Sequence, residues 1–351
     1  MGRAFMIAGA VAMVIATAPF LSAQRGQAGS GGPATEARSP RPSAGHASST
    51  PPRTPWGDPN LQGDFTNKYE QSTPFERPAE FEGRHVEEVT GAELAEVLKK
   101  REQQVLARPQ GVGPNQFRDL LDVTKGSRAW LIVDPPDGKI PPLTAESKRR
   151  TTSAEAPLDV VNARRRTGSS FGDGPFDGPE DLSLFDRCIT RGHPGSMVPF
   201  IHGNSYQIVQ TPGFVAIRYE IMHETRVIPL DGRPHIARGI RLDMGDPRGH
   251  WEGSTLVVVT TNFTERSAYR NANGDTLRIV ERFIPMARDQ IEWAVTIDDP
   301  ATWTRPWTFA MRLTRNDSEP VLEFACHEGN YAVANILSAA RAADRAAIAG
   351  K

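Results

Sequence analysis

The sequence predicts a mainly β protein: an eight-stranded, antiparallel up-and-down barrel, wrapped by an irregular N-terminal half that carries one or two helices. Three observations predict it. Period-two or continuous apolar runs recur at 206–210, 214–221, 226–230, 254–262, 276–284, 290–298, 307–314 and 321–326. Several breaks between them carry turn chemistry, with Thr-Pro-Gly at 211, Asp-Gly-Arg-Pro at 231, Asn-Gly-Asp at 273 and Asn-Asp-Ser at 316. Most connections are short enough for successive strands to pair. A barrel of that size holds either packed side chains or one small ligand.

Taken in order, residues 1–23 read as a secretory signal peptide. Arg3 gives the positive start, Ala4 to Phe20 the apolar run, and Leu21-Ser22-Ala23 the small residue before a cut. An uncleaved anchor is the alternative, the run being slightly short for a bilayer core of ~30 Å. Residues 24–54 are Gly, Ser, Pro, Ala and Arg with little to bury, and are expected as a disordered linker. Residues 55–204 form the wrapping segment. Within it, Thr90 is placed to cap a helix in which Leu94, Val97, Leu98, Val105 and Leu106 fall near helical spacing. Trp130 to Val133 read as a short strand closed by Pro-Pro-Asp-Gly, and Thr144 is placed to cap a second, polar helix. Residues 151–182 read as loop. The barrel is expected over 205–340, with a tail at 341–351.

Alternation assigns faces within the strands. Leu277, Ile279, Glu281 and Phe283 share one side, as do Ile291, Trp293, Val295 and Ile297, and Trp307, Phe309, Met311 and Leu313. Glu281 is the charged exception on an apolar face. A buried charge must pair, shift its pKa or meet a polar cavity. An ion pair with an arginine of a neighbouring strand is one reading, and a catalytic acid–base group or ligand anchor is the other.

Formal net charge is −1, from 41 basic and 42 acidic residues, so no electrostatic footprint for nucleic acid is present. Phosphate-loop, dinucleotide-fold and serine-hydrolase motifs are missing. Six of the eight histidines (His193, His202, His223, His235, His250 and His327) lie in the second half of the chain and show no metal-ligand spacing, so neither metal nor cofactor is expected. Apart from the leader no segment is apolar enough to span a membrane. Cys188 and Cys326 are the two cysteines, and in an exported chain they are expected as a disulfide.

The remaining candidates sit at turns. His223, His235 and His327 join Glu281 as candidate acid–base groups, and Arg226, Asp231, Arg233, Trp303 and Glu328 are candidate ligand contacts. Glu224, in "YEIMHETR", reads as solvated hairpin charge. Trp303 reads as a loop platform, Trp307 as core.

Eight stretches give the chain a resemblance to a family of exported bacterial proteins of uncharacterised function: "TPWGDPNLQG", "LIVDPPDGKIPPLT", "RCITRGHPGSM", "YQIVQTPGFVAI", "RVIPLDGRPH", "GDPRGHWEGSTLVVVTTNF", "DDPATWTRPWT" and "ACHEGNY". They cover residues 55 to about 340. Ser254 stands where that pattern has an acidic residue. The resemblance implies export and no particular activity. "GHW", Gly249 to Trp251, also resembles the glycine-x-tryptophan element of lipocalin-type barrels, although it lies mid-chain.

The expected function is therefore binding of a small, partly apolar molecule in an exported, periplasmic or secreted barrel. An enzyme using acid–base residues without a cofactor, and an envelope scaffold acting through its surface, stand as alternatives.

Overall fold

A computed structural model describes residues 52–107, 122–152, 176–200 and 202–349. The expected signal peptide and nearly all of the expected linker lie outside them.

The sheet follows from alternation. Ten strands form in chain order: β1 (Gly63–Thr66), β2 (Ile132–Asp134), β3 (Ser205–Thr211), β4 (Phe214–Tyr219), β5 (Thr225–Pro229), β6 (Asp246–Glu252), β7 (Thr255–Thr261), β8 (Arg278–Ala287), β9 (Gln290–Asp298) and β10 (Trp307–Arg315). Nine of them run in the order β5-β4-β3-β1-β10-β9-β8-β7-β6, and β2 adds to β10 off this path. Going round, the strands follow the chain, and the ring passes from β10 to β1 by antiparallel pairing at Phe65 with Arg315. The result is a nearly closed antiparallel barrel of nine strands rather than eight.

The odd number explains why closure is incomplete. Every ladder is antiparallel, so the ninth strand must run the same way as the first, and β5 and β6 meet as parallel neighbours. Parallel strands need a long crossover, and residues 230–245 supply one. Side chains close the seam instead of a ladder. A Cβ on Gly249 of β6 would lie 2.8 Å from Ile228 of β5 and 2.7 Å from Leu230, so glycine is required there by close approach.

Three strand assignments differ from the sequence reading: β1, which falls in the stretch read as an irregular wrapping segment, β6, and residues 321–326. β6 has the polar, Pro- and Gly-containing sequence DPRGHWE, which carries no apolar alternation, yet it fits an edge where Pro247 costs no ladder. Residues 321–326 form no strand. One side of β10 is taken by β9, and the other is shared by β1 and β2, so no edge remains for a strand following β10. The chain instead passes to a helix, α3 (Tyr331–Ala349), which occupies part of the expected tail.

The N-terminal half supplies α1 (Gly91–Leu106) and α2 (Ala145–Thr152). Thr90 takes the N-cap position of α1 without a side-chain cap, whereas Thr144 caps α2 by accepting the Ser147 N–H at 3.0 Å. Leu94 and Val97 of α1 pack on a small core of Phe81, Val86, Val89, Ala129 and Trp130. The barrel holds the main core, in which Phe75, Trp293, Trp303, Trp307 and Phe309 meet at ring distances of 5.0–6.0 Å. No helix among the described residues is long and apolar enough to cross a membrane.

Candidate functional site

One end of the barrel, here called upper, is where β4 and β7 finish and β3, β5, β6 and β8 begin. Among the described residues seven that are not glycine have left-handed backbones: Ser72, Cys188, Met222, His223, Asn262, Arg270 and Asn271. All fall in connections at that end. Turns at the lower end use Gly213, Gly232 and Gly253 for the same conformation. Strained backbone gathers where surrounding structure forces a particular geometry, and often at sites.

The segment 188–200 plugs the upper end. Its His193 is fully buried and reaches a charged group inside the barrel. There Glu281 of β8, 0% exposed, lies between Val258 of β7 and Val295 of β9. Four donors satisfy its carboxylate: both Nη atoms of Arg226, Trp293 Nε1 at 3.0 Å, and His193 Nε2 at 3.2 Å. Burial opposes the charge on Glu281, but Arg226 and His193 overcome it and hold the carboxyl at about 2. Burial and the Arg226 charge both lower the pKa of His193, so the imidazole is neutral. The Arg226 guanidinium lies against that ring, with Nη1 2.8 Å from Nδ1, and Phe263 stacks parallel to it at 6.5 Å. Tyr219 brings its hydroxyl to Arg226, and burial raises its pKa. This sealed network has the character of an internal strut.

Glu224 lies in the connection just before β5, two residues ahead of Arg226 in the chain. Its Oε2 accepts hydrogen bonds from Thr190 Oγ1 at 2.8 Å and Ser196 Oγ at 3.3 Å, both on the plug. Burial lifts its pKa to about 7, against the lowering effect of those hydroxyls, and nearby Asp243 adds to the rise. Glu224 is thus half-buried, correcting its reading as solvated hairpin charge. The alternation of Thr225 and Val227 outward with Arg226 and Ile228 inward carries the signal that places it.

The other candidates separate. His223 is exposed on the strained turn, with Nδ1 3.3 Å from the Phe324 carbonyl. His327 and Glu328 are exposed beyond the disulfide that joins Cys188 to Cys326, whose Cα atoms are 5.7 Å apart. His235 braces the crossover against Asp246 at 2.9 Å. Asp231 and Arg233 pair with each other in solvent at the lower end, so they share no site with His223. Trp303 is buried against Trp307 in the core and is no loop platform. Among the described residues no group of three or more His, Cys, Asp or Glu is arranged to hold a metal.

The lower mouth holds a cavity of about 250 Å³ between β1, β10 and the β8–β9 hairpin. Leu61, Phe65 and Ile291, each at most 3% exposed and part of the barrel core, line it with Pro285. Pro52, Asn60, Gln62, Ala287, Arg288, Arg315 and Asp317 complete it. A second cavity, about 320 Å³, lies outside the barrel between α1 and Pro74, Pro78 and Phe81.

No family model and no curated protein matches the chain. Among solved structures, one described as a secretary abundant heat soluble (SAHS) protein from Ramazzottius varieornatus aligns at 12% identity. That alignment covers 38% of this chain and 87% of the other, with a TM-score of 0.23.

Proposed function

We propose that this protein is an exported barrel that binds a small, partly apolar molecule at its lower mouth. The observation that carries the reading is the 250 Å³ cavity, whose apolar floor is continuous with the barrel core and whose rim is polar. The inside of the barrel is a packed core, so the mouth, and not the interior, is the place for a ligand. Export is supported by the Cys188–Cys326 disulfide, which persists in oxidising compartments. Ligand-observed NMR against a small-molecule library tests the binding, with Ala287→Trp as the blocked form. Ala287 lines the cavity at an exposed strand end, so a bulky side chain fills the space without entering the core. Hits that bind equally well to the blocked form would refute the site.

A second reading, an acid–base enzyme without a cofactor, is favoured by Glu224 at the strained upper end, where it faces two hydroxyls and is half-open to solvent. Turnover that survives Glu224→Gln would exclude it.

A further inference from the structure

We infer that the lower mouth takes an anionic amphiphile, an aliphatic chain ending in a carboxylate, with Arg288 as its anchor. This rests on the mouth being the binding site. Arg315 is committed: Nε donates to Asp317 Oδ2 at 2.7 Å, Nη1 donates to the Gln62 carbonyl at 3.0 Å, and the guanidinium lies over Phe65 at 5.6 Å. Gly63 permits that position, since a Cβ there would stand 2.6 Å from Arg315 Nη2. Arg315 and Asp317 therefore cancel. Arg288, exposed on the β8–β9 turn, makes no hydrogen bond or ion pair with any described residue and leaves the lining with one uncompensated positive charge. Asp289 beside it is held in the turn through its carbonyl, which accepts the Arg315 N–H at 2.7 Å.

The two amides of the lining point to the same chemistry. Asn60 Oδ1 already accepts the Gln62 N–H at 2.9 Å, and Gln62 Oε1 faces the Gln210 N–H at 3.4 Å. The NH₂ group of each makes no hydrogen bond to a described residue. Arg288, Asn60 and Gln62 thus present donors, and an acceptor-only, negatively charged head answers all three. A cation would meet Arg288 with like charge. A sugar would lay hydroxyls on Leu61, Phe65 and Ile291, where they find no partner. At ~30 Å³ per heavy atom in a condensed phase, the space holds a chain of about eight such atoms and leaves the head oxygens at the rim. Octanoate is of this size.

The experiment is calorimetric titration of the folded protein with octanoate, octanol and octylamine, repeated on Arg288→Gln and Ala287→Trp. Octanoate should bind most tightly, lose about tenfold in affinity on Arg288→Gln, and weaken as salt is raised. Octanol should be indifferent to Arg288→Gln. If octanol or octylamine matches octanoate, or if Arg288→Gln leaves octanoate unchanged, the anionic class is wrong while the mouth site stands, provided that Ala287→Trp blocks binding. If none of the three binds, or if Ala287→Trp changes nothing, the mouth reading itself fails. Arg288 is exposed and unpartnered, so its replacement should leave the melting temperature in place and the comparison clean.

Discussion

Replacing Arg226 with methionine would leave Glu281 charged inside the barrel with only Trp293 and His193 as donors. The cost follows from the burial of the pair. Breaking a buried ion pair by removing one partner typically costs ~3–5 kcal/mol. The carboxyl of Glu281 is held at about 2 against an ordinary 4.5 by all of its partners together, net of burial, so at ~1.4 kcal/mol per unit the site carries roughly 3 kcal/mol of pH-dependent stability. The sign is that of a lowered carboxylate. The contribution is complete above pH 4.5 and is lost as the pH falls through about 2. His193 acts in the same direction from a higher pH, because the unfolded chain takes up a proton below about 6.5 that the buried imidazole refuses.

Urea unfolding followed by tryptophan fluorescence measures this directly. Arg226→Met should lose ~3–5 kcal/mol at pH 7, and less near pH 3, where the orphaned Glu281 protonates rather than stay charged. The double variant Arg226→Met with Glu281→Met should recover most of the loss, since apolar replacement of a whole buried pair is often neutral or better. Single variants that lose under about 1 kcal/mol, or a double variant whose loss is the sum of the two, would refute the strut.

Glu224→Gln should act in the opposite pH sense. A carboxyl raised from 4.5 to about 7 draws stability away as the pH climbs between those values, so the variant should gain roughly 3 kcal/mol at pH 8 and nothing at pH 4. A flat difference across that range in denaturant titrations would contradict it. At the seam, Gly249→Ala puts a methyl against Ile228 and Leu230 and should cost ~1–3 kcal/mol by overpacking, read as a lower melting temperature. An unchanged melting point would mean that β5 and β6 do not touch. Cys326→Ser opens a loop of 138 positions and should cost ~4–5 kcal/mol in the chain-entropy model. A thiol assay of the native protein should find no free sulfhydryl, and two would disprove the bond.

What was legible in the sequence, and what was not, follows from how far each signal reaches. β8, β9 and β10 are long and each turns an unbroken apolar face to the core, so their alternation gives the orientation of all three and the extent of β9 and β10 to within a residue, whereas β8 runs over 278–287 where 276–284 is expected, and Glu281 stands out as the charge on the wrong side. β1 has four residues and gains its place by pairing with both β3 and β10, a tertiary fact with no local trace. His193 was hidden for the same reason. It lies in a Gly- and Pro-bounded loop, and only the folded plug brings it within 3.2 Å of Glu281. The site followed this rule more severely than the fold did. His223, Asp231 and Arg233 look like one cluster because they are close in the chain, but β5 runs the length of the barrel between them and carries them to opposite ends. Conversely, Arg288 and Asn60 are far apart in sequence and line one cavity, because β1 and the β8–β9 hairpin meet at the lower mouth. In a meander barrel, neighbours along a strand are divided between its two ends, and a site is assembled from every second connection. The upper connections hold the strained plug and its titrating carboxylate, and the lower ones hold a cavity lined by uncommitted donors. Glu224 and the cavity at the lower mouth therefore lie at different ends of this molecule, and Glu224→Gln and Ala287→Trp probe them one at a time.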